Sequence, residues 1–206
     1  MGICFNFDSS TLTTLYSCDG DVVTRYTTDD GFKGSGVYTL PNSFCEALLK
    51  ISNEIEHLDG TLEINGNWAK ASLNNGFTVY GRVINTDKPL NHAKLIADTM
   101  TGESTFVGLP EGFGEALARA RVLADPESKP TILTVFNGKL DMLTKATLGE
   151  ATDSMPLKDH DDVEAFVHAS LVQRSIDICD EISIRENCTA YKLGDAVLQV
   201  VSNVGE

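Results

Sequence analysis

The densest run of metal-ligating residue types in the chain is Asp159-His160-Asp161-Asp162, with Glu164 and His168 close behind. A divalent cation needs such side chains to converge, but their spacing matches no known ligand pattern. A charged, solvated loop ahead of a strand accounts for them better. His57 and His92 stand alone in polar surroundings and read as surface residues. The cysteines are Cys4, Cys18, Cys45, Cys179 and Cys188, an odd number with no CxxC pair. This pattern predicts reduced, mostly buried thiols, and neither a zinc ribbon nor a disulfide framework. Gly31-Phe32-Lys33-Gly34-Ser35-Gly36 holds Lys and Ser without the GxxxxGK[ST] order of a phosphate cradle. There is no GxSxG, and no cysteine stands beside a base motif. Trp68 lies in a strand pattern and is read as a packing residue. The expectation is therefore a protein that is not an enzyme, with no metal and no cofactor.

Charge narrows the function further. The 206 residues carry 16 Lys+Arg against 30 Asp+Glu, a net charge of −14. Direct phosphate contacts need concentrated Lys and Arg, so a stand-alone sequence-reading nucleic-acid binder is disfavoured. A protein that surrounds DNA loosely is not excluded. Apolar residues make up 42% and charged residues 22%, enough to bury a core as one large domain or two small ones. The first residues lack a basic segment and a long apolar stretch, and no apolar run approaches membrane-spanning length. A cytoplasmic location with no membrane partner is predicted.

The elements that would position any site follow from patterning. Period-two stretches at 3–8, 11–17 and 21–28 read as strands, the last two joined at Asp19-Gly20. After a glycine-rich loop at 29–36, residues 37–40 form a short strand and Pro41-Asn42-Ser43 opens a helix. Its Phe44, Leu48, Ile51 and Ile55 share one stripe. Strands at 61–65, 67–73 and 77–85 follow, turning at Asn65-Gly66 and Asn75-Gly76. Residues 86–102 are a connector with at most a helical turn. The order then restarts. A strand at 105–109 precedes a Pro110-led helix, then strands at 131–136, 139–146 and 149–156, with Asn137-Gly138 at the first turn. A third round has a strand at 163–168, a helix at 169–179 and strands at 181–186, 188–193 and 195–201.

Two of these rounds share a string. Pro41-Asn42-Ser43-Phe44-Cys45-Glu46-Ala47-Leu48 and Pro110-Glu111-Gly112-Phe113-Gly114-Glu115-Ala116-Leu117 both read P-x-x-F-x-E-A-L, 69 residues apart. Common helix-start preferences alone produce some likeness. Five identities at matching places in the element order favour a duplicated β-α-β-β-β unit. Each unit has an amphipathic helix and an antiparallel sheet with one apolar face. One unit cannot cover its own sheet, so units must pack in pairs, with strand edges open at the ends.

In this order and spacing the sequence resembles the bacterial DNA sliding clamp, the β subunit of the replicative polymerase. Leu15-Tyr16-Ser17-Cys18-Asp19-Gly20 is similar to that family's T-D-G-H-R-L segment in its middle domain. The strand-Pro-helix at 37–52 resembles that domain's second helix, and 77–89 resembles its closing strand and connector proline. Phe113–Leu123 resembles the F-x-x-A-L-x-R-x-x-x-L start of the third domain, as do Asn137-Gly138-Lys139-Leu140 and Gly149-Glu150. The family's first domain, and the first strand and helix of its middle domain, have no counterpart here. Its C-terminal Met-Pro-Met-x-Leu is replaced by Ser202-Asn203-Val204-Gly205-Glu206.

The resemblance implies an α+β DNA-clamp fold of repeated β-α-β-β-β units with antiparallel sheets and helices on one face. Residues 1–100 would be a partial domain, a helix-less stub at 1–30 plus a full unit at 36–100. Residues 103–206 would be a complete domain of two units. It implies a non-enzymatic processivity factor for a DNA polymerase, in a bacterial cytoplasm or, if phage-encoded, that of the host. The family's partner peptides dock in an apolar groove. The matching positions are Cys18, Asp19, Gly20, Asp21, Val22 and Val23, then Pro89, Ala93 and Lys94, then Val200, Val201, Ser202 and Asn203. Asp21, Val22 and Ala93 stand where the family has basic or His residues, and the valines read equally as strand core.

The family's DNA-facing helices correspond here to the segments holding Lys50, Arg119, Arg121 and Arg174. Glu46, Glu54, Glu56, Glu111, Glu115 and Asp177 share those segments, which fits ordinary solvated faces as well. A family ring needs twelve units, so about four per chain implies a homo-oligomer, with a trimer the simplest closure. The alternative is a clamp-derived adaptor or inhibitor in replication or transcription that does not encircle DNA.

Overall fold

The computed structural model describes residues 2–7, 12–29, 34–55, 59–85, 90–123, 130–147 and 149–204. Pro89, Glu56 and His57 lie outside them, as do residues 30–33 of the glycine-rich loop. The chain divides into two compact units: unit 1 holds residues 1–19 and 26–92, and unit 2 holds 20–25 and 93–206.

Unit 1 begins with strands β1 (Gly2–Phe7) and β2 (Thr13–Cys18) and takes in the end of β3 (Val22–Thr28). Strand β4 (Gly36–Pro41) leads directly into helix α1 (Asn42–Asn53). A meander of β5 (Gly60–Asn65), β6 (Trp68–Leu73) and β7 (Thr78–Arg82) completes it. Strand β1 lies between β4 and β2, antiparallel to both, and β6 lies between β5 and β7. Pro41 starts α1 because its fixed φ of −65° suits a helix entry and its missing N–H costs nothing there. Phe44 then drives into the core and reaches β7 so closely that residue 81 must be glycine. A Cβ there would meet Phe44 Cδ2 at 2.5 Å.

The small core of unit 1 gathers Phe5, Phe7, Leu40, Phe44, Ala69, Ala71 and Val83. Register explains one departure from expectation. Ala69 and Ala71 face this core, so Trp68 must face outward, and it is 59% exposed rather than packed. The same register closes the first hairpin on Gly66-Asn67, with Asn65 paired to Trp68, one residue later than Asn65-Gly66.

After the start of β3, unit 2 continues with α2 (His92–Thr99), whose first residue is the last of unit 1; it is a full helix with Ile96 buried where only a helical turn was expected. Two rounds follow. The first is β8 (Val107–Gly108), α3 (Phe113–Leu123), β9 (Thr131–Phe136), β10 (Lys139–Ala146) and β11 (Gly149–Pro156). The second is β12 (Val163–Val167), α4 (Ala169–Ile176), β13 (Glu181–Ile184), β14 (Cys188–Leu193) and β15 (Val197–Ser202). The rounds exchange their first strands: β12 pairs with β9, and β8 pairs with β13. One sheet reads β11-β10-β9-β12, and the other runs β8-β13-β14-β15 with the start of β3 beside β15. Strand β8 is two residues long because it pairs only with Glu181 and Ile182.

Helices α3 and α4 pack on each other over the two sheets. They enclose the larger core of Phe113, Leu117, Leu133, Leu140, Met142, Val167, Val172, Ile182, Tyr191 and Val201. The Asn137-Gly138 turn takes φ of 51° and 74°, the double positive that a two-residue hairpin demands. The architecture is α+β, with antiparallel sheets and repeated β-α-β-β-β rounds.

All five cysteines are free thiols. Burial pushes the Cys179 thiol up to about 11, and the neighbouring Asp180 charge adds to the shift. Burial also raises Cys4, Cys45 and Cys188. An unfolded chain ionises these thiols near their ordinary value of 9.0, while the folded chain still holds their protons. These thiols therefore leave stability unchanged below about pH 9 and lower it as pH rises toward 11, because unfolding then releases protons. Melting followed by circular dichroism from pH 8 to about 11 is expected to show that decline, and Cys179→Ala to flatten part of it. A melting temperature constant to pH 11 would contradict it.

Candidate protein-docking and DNA-facing surfaces

The positions matched to a peptide groove occupy distinct local settings. Cys18 ends β2 in unit 1 and is half-buried, and Asp19 after it is exposed. In unit 2, Gly20 takes φ of 105°, a conformation that L side chains avoid, and so turns the chain into β3. Asp21 is exposed, and its carbonyl accepts a hydrogen bond from the Ser202 N–H at 2.8 Å. That bond fixes the end of β15 against the start of β3. Val22 is half-buried against the larger core, and Val23 is buried. Val200 and Val201 are 3% and 0% exposed, so their apolar surface already faces protein. Ala93 and Lys94 are exposed on the first turn of α2, and Ser202 is exposed at the end of β15.

A network of polar contacts ties the far end of α2 to the same strands. The Asn187 amide donates to the Thr99 carbonyl at 2.8 Å, and the Cys188 thiol approaches that oxygen at 3.7 Å. Asn203 donates through Nδ2 to the Arg185 and Glu186 carbonyls at 2.6 and 3.1 Å. Its own N–H donates to the Asn187 carbonyl at 3.1 Å. Asn203 is thus a brace for the β13–β14 turn, a role its position in the sequence does not disclose. In unit 1, the His92 ring stacks on Tyr16 with centroids 5.5 Å apart, and burial lowers its pKa. His92 is therefore a packed residue and not the surface histidine expected from its polar neighbours.

Lys50, Arg119, Arg121 and Arg174 are all exposed, on α1, α3, α3 and α4. Lys50, Arg121 and Arg174 sit in the last turns of their helices, where a cation complements the helix dipole. Arg119 is engaged by a forked contact to Asp153 on β11, with Nη2 to Oδ1 at 2.6 Å and Nε to Oδ2 at 3.3 Å. That pairing raises the Arg119 pKa. It also cancels much of the field that Arg119 would offer a phosphate. Glu46, Glu54, Glu111, Glu115 and Asp177 are exposed on or at the ends of the same helices.

The acidic run at 159–162 is a structured loop. Asp159 adopts a φ of 61°, and Asp162 Oδ1 accepts from the Asn137 N–H at 2.9 Å. The Ile184 N–H donates to His160 Nε2 at 2.9 Å, which leaves Nδ1 as the donor to the Asp161 carbonyl at 2.8 Å. Both ring nitrogens are thus committed, one to β13 and one to the loop. Among the described residues no group of three or more His, Cys, Asp or Glu is arranged to hold a metal ion. Among them, too, no helix is long and apolar enough to cross a membrane.

An architecture of paired β-α-β-β-β rounds with exchanged first strands superposes on known structures. The crystal structure of a DNA polymerase sliding clamp from Pseudomonas aeruginosa superposes on the whole chain with a TM-score of 0.86 at 14% identity. This chain has the DNA sliding-clamp fold. A griselimycin-bound clamp, DNA polymerase III subunit beta, from Bartonella birtlesii matches 100% of the chain with a TM-score of 0.85 at 16% identity. A putative DNA polymerase III beta subunit from Eubacterium rectale matches 98% with a TM-score of 0.83 at 15% identity. The chain spans 56–58% of the length of these clamps. No protein-family model and no curated protein sequence matches it.

Proposed function

We propose that this chain is a sliding-clamp-like, non-enzymatic processivity factor for a DNA polymerase. The observation that carries the reading is the clamp fold over the whole chain, at a TM-score of 0.81–0.86 against eight solved clamps. On this reading residues 1–100 act as a partial clamp domain and 103–206 as a complete one. Copies of the chain assemble through open strand edges, a trimer being the simplest ring. Polymerase or other replication proteins contact the matched positions that stay exposed, Gly20, Asp21, Ala93, Lys94 and Ser202. The helices bearing Lys50, Arg119, Arg121 and Arg174 face encircled DNA. The setting is a cytoplasm, that of the host if the source is a phage.

One observation favours a second reading, a clamp-derived adaptor that does not encircle DNA. Arg119 is paired to Asp153, and acidic residues accompany every basic one on the helices. A retention assay separates the two. A topological clamp stays on a circular duplex and slides off once the duplex is cut, with a mass by light scattering that is a multiple of the monomer. Asp153→Asn then raises retention by freeing the Arg119 guanidinium. A strict monomer that captures a polymerase yet is never retained on circular DNA would leave the adaptor.

A further inference from the structure

The three-stranded sheet of unit 1 has two faces. The inner face meets α1 and borders an open groove of about 400 Å³, lined by Leu48, Leu62 and Leu73 among others. Alternation turns every second residue of β5, β6 and β7 to the outer face. The pairing register lays those residues in rows. Asn65, Trp68 and Arg82 form one row, and Glu63, Lys70 and Tyr80 the next. Trp68 and Tyr80 are therefore diagonal neighbours on adjacent strands, near enough for one extended chain to cross both rings. They are 59% and 65% exposed. Lys70 meets Glu63 at 3.8 Å, a loose contact at the surface. Arg82 is exposed, and among the described residues no carboxylate pairs with it.

The meander of unit 2 shows that this surface does not follow from the fold. On β9, β10 and β11 the outward lysines are neutralised within the sheet, Lys139 by Asp141 at 2.9 Å and Lys145 by Glu150 at 3.6 Å. Phe136 is the one aromatic residue of those three strands. The meander of unit 1 instead sets two exposed rings beside two cations, one of them unpaired, on a chain whose net charge is −14. A single nucleic-acid strand matches both features, because its bases offer flat π faces and its phosphates offer regularly spaced anions. A duplex hides the base faces in its own stack. A proline-rich peptide would use the rings and leave Arg82 without a counter-charge.

We propose that this face binds single-stranded nucleic acid without reading its sequence. Bases stack on Trp68 and Tyr80, and the phosphates between them meet Arg82 and Lys70. The face lies on the opposite side of its sheet from α1, because Phe44 of α1 packs against Gly81, which points the other way from Tyr80 and Arg82. The site is therefore separate from the helices assigned to encircled duplex, and it stands whether or not the chain forms a ring.

Trp68 is the chain's one tryptophan, so its fluorescence reports the site directly. The probe is an oligothymidylate of about eight nucleotides, titrated into the full chain at about 0.1 M salt, where charges beyond about 10 Å are screened. The expected result is saturable quenching with a Kd of about 0.1 mM or below. The same strand annealed to its complement is expected to bind at least about tenfold more weakly. Tyr80→Ala is expected to weaken binding at least about fivefold, and Arg82→Gln at least about threefold. Both variants are expected to keep the wild-type melting temperature, since neither side chain belongs to the core. No quenching at about 1 mM oligothymidylate, equal binding of the duplex, or undiminished affinity in either variant would overturn the proposal. Quenching by a polyproline peptide that the oligothymidylate cannot displace would also overturn it, by assigning the face to a protein partner.

Discussion

Leu117→Ala is expected to lower the unfolding free energy by about 2–5 kcal/mol, and Leu48→Ala by about 1 kcal/mol or less. The two leucines end the same repeated string, so propensity and local sequence are matched. Their surroundings are not. Leu117 is fully enclosed where α3 meets α4 and the sheet below, and deleting its methyls leaves a void that rigid neighbours cannot close. Leu48 borders the open groove of unit 1, so water or a shifted side chain takes up the space. Urea denaturation of both variants measures the difference directly. Equal losses would mean that the groove is closed in solution, and would contradict the open α1 face.

The second large effect concerns the C-terminal strand. Val200→Asp is expected to destabilise the chain by at least about 3 kcal/mol and to leave unit 2 unfolded or molten, because it places a carboxylate where no cation waits. Val200 is 3% exposed and pairs with Ala190 in the β14–β15 ladder. Loss of partner binding in that variant would report unfolding, not a lost contact. Ala93→Arg is the informative change for docking. Residue 93 is exposed on the first turn of α2, where a long side chain keeps its charge in water. It is expected to leave the melting temperature unchanged and to weaken capture of a polymerase at least about tenfold. Wild-type capture by Ala93→Arg would remove this surface from the docking site.

Both predictions turn on burial, and burial is where reading the sequence stopped. The strands β9, β10 and β11 are legible to the residue at 131–136, 139–146 and 149–156, because alternation and the Asn137-Gly138 turn specify pairing locally. Helices α1 and α3 announce themselves through their proline starts, and α1 also through its apolar stripe; α4, expected over 169–179, ends at Ile176. The repeated P-x-x-F-x-E-A-L string ties two rounds together, since the phenylalanine three residues after the proline must reach a core in both. A short connector helix such as α2 escapes detection because only Ile96 is fully buried, too little to set a period.

The candidate site was legible only as a set of positions. Resemblance groups Gly20, Asp21 and Ser202 by position, but only folding joins the Ser202 N–H to the Asp21 carbonyl. The valines at 22, 23, 200 and 201 have equal apolar character in the sequence. Tertiary packing alone separates half-buried Val22 from fully buried Val201, because the face of a strand that meets the core depends on register with neighbours far along the chain. The same holds for charge. Composition fixes the net −14, while the pairing of Arg119 with Asp153, 34 residues away, decides how little positive field α3 presents.

By itself, then, the sequence determined the element order, the duplicated round and the acid excess, all properties of local pattern and composition. Only the tertiary structure decided that β8 and β12 exchange partners between rounds and that α3 covers α4. It alone revealed that α1, with the same string as α3, faces an open groove. Long-range strand pairing is a choice among many registers of similar local energy, and the packed core selects one of them.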